Sequence, residues 1–213
     1  MNGILDGTYV NPESSHTTQT PEELAAQSKT IEELMQTDEV KSSGMEIAHV
    51  LSLRLYTSST YDSINMPMRT TPPTKPHPFA VTAYYISQGI KMLRSVAGEL
   101  PGAHQPQVFW RGMKDLTISD AFMESGGTEF ACMSTTLVQD VAVDFAFSRA
   151  PMLLKLETKD FMSRGADITF LSVYPGESET LFPPLTFLRP IARETVAIKG
   201  KQYLLVRCEP VIP

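Results

Sequence analysis

Three polar clusters in the second half of the chain carry residue types that can do chemistry. Arg111 follows Val108-Phe109-Trp110. Its planar fork donates two parallel charged hydrogen bonds, so in a cleft it would suit a pyrophosphate; simple emergence into solvent is the alternative. Ser134-Thr135-Thr136 follows the apolar run Phe130-Ala131-Cys132-Met133. Thr136 is expected to cap the next helix. A hydroxyl donates and accepts at once, so Ser134 could hold a carboxylate in position. Glu177-Ser178-Glu179 lies between Tyr174-Pro175-Gly176 and Leu181-Phe182. On an extended segment both glutamates project to one side and repel, which folding alone does not favour. On a solvated loop that repulsion would be small.

Other chemistries lack their residues. The histidines His16, His49, His77 and His104 fall in separate segments without ligand spacing, so no metal site is expected. Neither a Gly-x-Gly-x-x-Gly turn, nor a Walker-type loop, nor a nucleophile-elbow serine is present. Cys132 and Cys208 stand far apart in apolar contexts and read as buried, reduced thiols.

The elements that must position the clusters can be read from periodicity. Residues 1–19 are unpatterned and expected to form a loose arm. Thr20-Pro21-Glu22-Glu23 and Thr30-Ile31-Glu32-Glu33 are capping boxes, so helices are expected over about 20–40. A further helix is expected from about Met45 to Tyr56. Asn65 to Pro78 holds five prolines and reads as an extended connector. Phe79, Ala83, Ile86, Ile90, Leu93 and Ala97 recur in steps of three and four, an amphipathic helix stopped by Gly98. Beyond Pro101 the pattern turns to strands: 108–110, 130–133, 152–156, 168–174, 186–188, 195–198 and 203–206. One short helix, containing Val141, Ala142, Phe145 and Ala146, interrupts them, with Thr136 to Gln139 read as its capping box. Lys199-Gly200-Lys201 reads as a hairpin turn. Helices first and strands afterwards predict an α+β fold.

The 213 residues carry a net charge of −6, concentrated near the start, where residues 1–50 hold nine acids against Lys29 and Lys41. The absence of a basic stripe argues against nucleic acid as a partner. No apolar run is long enough to span a membrane, and no signal peptide is evident.

Taken in order, these segments resemble a known family. Val108-Phe109-Trp110-Arg111-Gly112, Phe130 to Thr136, Val141 to Ala146 and Leu171 to Pro184 are similar to the arginine–serine–glutamate clade of mono-ADP-ribosyltransferases. Leu55-Tyr56-Thr57, Tyr61, Ile64-Asn65 and Arg69 are similar to that family's amino-terminal helical lobe, and the likeness runs from about Ile47 to Arg207. Ser-Thr-Thr stands where the family commonly has Ser-Thr-Ser, which keeps a hydroxyl.

The resemblance implies a helical lobe beside two packed, mainly antiparallel sheets with an NAD⁺ cleft between them. The expected organisation is an arm at 1–19, an acidic helical extension at 20–43 outside the shared core, and a catalytic domain at 44–213. Within that domain the helical lobe would cover about 44–100 and the β-rich NAD-binding core about 101–213. Catalysis would fall to Glu179, Glu177, Ser134 and Arg111, and the NAD⁺ site would add Gly112, Thr135, Phe145, Phe147 and Arg149. Gly112 would let the backbone meet the nicotinamide amide. Phe145 or Phe147 would stack on its ring, although core packing explains either phenylalanine equally well. NAD⁺ is the expected co-substrate, with no metal, and a protein bearing arginine the expected acceptor. Neither nucleic acid nor membrane is expected as a partner. The chain is expected to be a monomer, cytoplasmic or delivered into a host cytosol. NAD⁺ glycohydrolase activity, a silent binding module on the same fold, and a generic α+β structural domain in which the three clusters coincide by chance are the competing readings.

Overall fold

A computed structural model of the chain describes residues 20–70, 73 and 75–213. The arm expected at 1–19 lies outside the described residues. In chain order the elements are α1 (Pro21–Gln27), α2 (Ile31–Met35), α3 (Asp38–Ser43), α4 (Ile47–Tyr56), α5 (Tyr61–Arg69) and α6 (Ala80–Ala97). There follow β1 (Gln107–Lys114), α7 (Asp120–Ser125), β2 (Gly127–Glu129), β3 (Met133–Thr136), α8 (Gln139–Ala146) and β4 (Pro151–Thr158). The chain ends with β5 (Ala166–Asp167), β6 (Glu179–Phe182), β7 (Thr186–Ile198) and β8 (Lys201–Val211). Three single 3₁₀ turns intervene at Phe161–Ser163, Thr169–Leu171 and Pro175–Glu177. The described residues divide into two compact units, one drawn from positions 20–97 and 166–178, the other from 98–165 and 179–213.

The first unit is helical. Thr20 and Thr30 accept from the amides of Glu23 and Glu33, and both glutamates return a bond to the cap amide, so both capping boxes form. Leu34 and Val40 are buried, so the helices of residues 20–43 contribute to packing and are not a mere external appendage. Helix α4 lies against α6, burying Val50, Leu53, Ile86, Ile90 and Leu93. The connector expected from Asn65 is helical as far as Arg69. Pro67 lies inside this helix, two residues before its end, and has no amide to donate to the Ser63 carbonyl.

The segment 168–174, expected as a strand, is a 3₁₀ turn followed by irregular chain. Its backbone groups are taken by side chains of α4 and the residue after it. Arg54 donates to the carbonyls of Leu171 (2.8 Å) and Ser172 (3.1 Å), and the amide of Val173 donates to Thr57 Oγ1 (3.2 Å). No strand ladder is needed to satisfy them.

The second unit is a sheet with strand order β2-β7-β8-β4-β1-β3-β6. All its pairings are antiparallel except β4 with β8. The α+β class and the mainly antiparallel pairing match expectation. The two separate sheets do not, because the hydrogen-bonded order is continuous. The link is slender: β1 and β3 share one register pair, Trp110 with Thr136, while β1 and β4 share eight. The strands expected at 186–188 and 195–198 are one strand, β7, bent by an irregularity between Pro190 and Ala192. Lys199 and Gly200 have φ of 49° and 77°, the two left-handed residues of a tight hairpin.

Both faces of this sheet are apolar, which is why its central strands read as unbroken hydrophobic runs. One face gathers Phe109, Met152, Leu154, Leu156, Val206 and Cys208, with Phe122 and Met123 of α7 packed against it. The other gathers Leu153, Tyr203 and Leu205 beneath Ala142, Val143 and Ala146 of α8.

Candidate active site

Strand β1 carries Arg111 in its interior, and the second hydroxyl-rich cluster is itself strand β3; neither stands beyond a strand end as expected. The apolar residues Phe130–Cys132 lie outside the strand, and Phe130 is exposed. Strand β6 begins at Glu179, which pairs with Thr136 across the ladder, while Ser134 pairs with Leu181. Residues two apart share a face, and so do directly opposed partners, so Ser134, Thr136 and Glu179 lie on one face of the β3–β6 pair.

Glu179 is buried, with 6% of its surface exposed. Burial pushes its carboxyl up to about 7, partly offset by hydrogen bonding from the Ser134 side chain and by the positive charge of Arg111. These two influences pull toward the anion, and without them the group would stay protonated at neutral pH. Arg111 Nη1 donates to the carbonyl of Ser134 at 2.8 Å, tying the guanidinium to β3 next to the single pair joining β1 and β3. A guanidinium, a hydroxyl and a carboxylate from three separated stretches of chain thus converge. If Ser134 steadies the anion, Ser134→Ala raises the Glu179 titration by about one pH unit, since a bond to a charged group is worth roughly 1.5–3 kcal/mol. Carboxyl ¹³C shifts followed against pH in the two proteins measure it.

The neighbouring hydroxyls have local duties. Thr135 Oγ1 donates to the carbonyl of Thr180 at 2.8 Å, a buried bond from the opposite face of the ladder. Thr136 Oγ1 accepts from the amide of Val138 at 3.0 Å. Thr136 is therefore not the cap of α8, whose N-cap is Val138 without a side-chain bond. A threonine held in the β3–β6 ladder lies too early in the chain to cap a helix starting at Gln139.

Glu177 and Glu179 do not share an extended segment. Glu177 closes the 3₁₀ turn, its amide donating to the carbonyl of Tyr174 at 3.1 Å, and Ser178 is left-handed with φ of 49°. The turn and the left-handed residue remove the side-by-side repulsion inferred from an extended pair. Chain division falls between Ser178 and Glu179.

Phe145 and Phe147 are 51% and 68% exposed, so plain core packing explains neither. Phe147, Ser148 and the exposed Arg149 form the loop after α8. Two residues overlooked in the sequence hold it. Lys201 places its ammonium 4.0 Å from the centre of the Phe147 ring and donates to the carbonyl of Ser148 at 2.5 Å. Asp115, left-handed at φ 53°, accepts from the amide of Ala150 at 2.9 Å, and its own amide donates to the carbonyl of Ala150 at 3.1 Å. Lys201 stood in view as part of a hairpin turn, but nothing in the pattern linked it to a loop some fifty residues earlier.

A family model described as NAD:arginine ADP-ribosyltransferase matches residues 11–201. The chain belongs to this family. It is an ADP-ribosyltransferase with NAD⁺ as co-substrate. No curated protein matches the chain. Among solved structures it is similar to Plx2a, an ADP-ribosyltransferase toxin from Paenibacillus larvae. Identity is 16% over 83% of this chain and 98% of that one, with a TM-score of 0.62. It is also similar to the ADP-ribosyltransferase HopU1 of Pseudomonas syringae pv. Tomato DC3000, at 16% identity over 84% and 88% of the two chains and a TM-score of 0.59. A third is exoenzyme S from Pseudomonas aeruginosa, solved with human 14-3-3 protein beta and Carba-NAD. There identity is 17% over 87% and 88%, with a TM-score of 0.56.

In this ADP-ribosyltransferase, Gly112 has a reason within the fold. A Cβ there would lie 2.0 Å from the carbonyl oxygen of Ala142 and 2.6 Å from the amide of Ala146, so glycine is what allows α8 to press onto β1. Among the described residues there is no group of three or more histidines, cysteines, aspartates or glutamates placed to hold a metal. No described helix is long and apolar enough to cross a membrane.

Proposed function

We propose that this enzyme transfers ADP-ribose from NAD⁺ to an arginine side chain of a protein, and that Arg111, Ser134 and Glu179 perform the cleavage. The observation that carries the reading is the buried Glu179 carboxylate, held near ionisation by Ser134 and Arg111. Nicotinamide leaves as a neutral molecule from a cationic ring, so its departure needs no general acid. The difficulty is the oxocarbenium-like charge that develops on the ribose, as in glycoside cleavage. A fixed carboxylate accepting a hydrogen bond from the ribose 2′-hydroxyl stabilises that charge where it appears. Arg111 grips the phosphates and ribose, Ser134 orients Glu179, and the loop bearing Phe147 and Arg149 meets the nicotinamide and phosphate. By its resemblance to the arginine-specific members of the arginine–serine–glutamate clade, Glu177 holds and deprotonates the incoming guanidinium.

The active form of Glu179 is the anion, so kcat/KM for NAD⁺ cleavage should rise with pH through about 7 and level off above it. With NAD⁺ bound, the cationic nicotinamide ring favours the carboxylate, so the limb seen in kcat falls at lower pH than the limb in kcat/KM. A pH-rate series with each parameter fitted separately checks both.

The deciding experiment is incubation with labelled NAD⁺ and a cell lysate, with mass-spectrometric mapping of modified residues and a count of free ADP-ribose. Modification on arginine supports the proposal; free ADP-ribose alone makes the enzyme an NAD⁺ glycohydrolase. Glu177→Gln should abolish transfer to arginine while sparing some NAD⁺ hydrolysis. Equal loss of both activities would refute the division of labour.

A further inference from the structure

Arg54, the largest fully buried side chain among the described residues, has no part in the chemistry above. Its guanidinium is spent on four backbone carbonyls. Nη1 donates to Leu171 (2.8 Å) and Ser172 (3.1 Å), and Nη2 to Ala26 (2.5 Å) and Gln27 (3.2 Å). The first pair opens the segment that runs into the Pro175–Glu177 turn; the second pair ends α1. Helix α1 has no basic residue in its own last turn, so a cation reaching it from α4 satisfies its terminal carbonyls and complements its dipole.

These contacts form one connected support. Thr57, next after α4, donates to the carbonyl of Arg54 at 2.9 Å and accepts from the amide of Val173 at 3.2 Å. Ser172 Oγ accepts from the amide of Tyr174 at 3.0 Å, and the amides of Glu177 and Ser178 return to Tyr174 and Pro175, each at 3.1 Å. Helix α1 packs directly against the Pro175–Glu177 turn, and so does the turn at Thr169–Leu171. Burial lowers the Arg54 pKa to about 10, still charged at neutral pH.

We propose that Arg54 is a positioning residue which, together with α1, holds the Pro175–Glu177 turn in the shape that lets Glu177 receive a guanidinium, so that the acidic amino-terminal helices determine acceptor use. This rests on the reading of Glu177 as the acceptor-binding group. Arginine suits the task because its fork can serve two carbonyls with each terminal nitrogen, whereas a lysine presents one compact ammonium. Loosening the turn would leave NAD⁺ cleavage, assigned to residues of the other unit, largely intact.

The test uses the full chain, with agmatine as the guanidine probe and NAD⁺ hydrolysis measured in the same samples. Ala25→Pro breaks α1 at an exposed position without touching Arg54. Expected is a fall of about tenfold in the ratio of transfer to hydrolysis, with a raised KM for agmatine, hydrolysis within about twofold, and faster amide exchange confined to residues 171–178 and α1. Arg54→Met should do the same, and Arg54→Lys should restore part of the loss. Should Ala25→Pro fail to fold, the double variant Thr20→Ala/Glu23→Ala removes only the exposed capping box and should lower the ratio about threefold. An unchanged ratio in a folded α1 variant, or equal loss of transfer and hydrolysis, overturns the proposal. Glu177→Gln run in parallel separates the two ideas. If it leaves the ratio unaltered, the reading of Glu177 fails; if it lowers the ratio while the α1 variants do not, only the role of Arg54 and α1 fails.

Discussion

Replacing Glu179 by glutamine is expected to lower kcat for NAD⁺ cleavage by roughly 10²–10³-fold, the scale for one preorganised electrostatic group, while NAD⁺ affinity changes little. The same substitution should make the protein more stable at alkaline pH. The folded-state pKa of about 7 lies above the ordinary 4.5, so between those values the folded chain keeps a proton that the unfolded chain has released. Stability therefore falls as pH rises through this window, and above about 7 the full penalty of the buried anion is present. Its size is on the order of 1–3 kcal/mol. Glutamine keeps an acceptor for Ser134 and carries no charge, so Glu179→Gln should melt several degrees higher than wild type at pH 8 and near wild type at pH 4.5. Thermal melts at the two pH values, beside single-turnover nicotinamide release, measure both halves. An inactive variant with no alkaline gain in stability would mean that the carboxylate is well solvated in the free enzyme, contrary to its burial.

Gly112→Ala is expected to act on folding before it acts on catalysis. The atoms its methyl would meet, at 2.0 and 2.6 Å, are backbone atoms of α8, which have no rotamer to change. Helix α8 must lift from β1, opening the packing of Ala142, Val143 and Ala146 against Leu153, Tyr203 and Leu205. Overpacking of a close backbone contact costs about 3 kcal/mol or more, close to 10 °C in a chain of this size. The expected result is a low-melting or insoluble protein, read by melting curves with and without NAD⁺. A variant of wild-type stability with weakened NAD⁺ binding would restore to Gly112 the purely ligand-facing role implied by resemblance.

Much of the framework was legible because it is locally encoded. Thr20 and Thr30 with glutamates three residues on, the three-and-four spacing through Ile86, Ile90 and Leu93, and the Lys199-Gly200 turn each place their cause within a few residues of their effect. The residues Arg111, Ser134 and Glu179 stood out as polar groups beside apolar runs, but their places were not read from the pattern: Arg111 lies inside β1 and the hydroxyl cluster is itself strand β3.

What needed tertiary structure was every assignment whose partner lies far along the chain. Residues 168–174 have the composition of a strand, yet Arg54, 117 residues before Leu171, takes their carbonyls and leaves them irregular. Thr136 has the look of a cap and belongs to a ladder. Phe145 and Phe147 could have been core by spacing, and only solvent exposure removed that reading. The amino-acid order by itself determined which chemical groups this protein owns and which local elements carry them. Burial decided what those groups became. Removing water from Glu179 near Arg111 and Ser134 changes an ordinary surface carboxylate into one that titrates near neutrality, and desolvation is a property of packing that no single stretch of sequence contains.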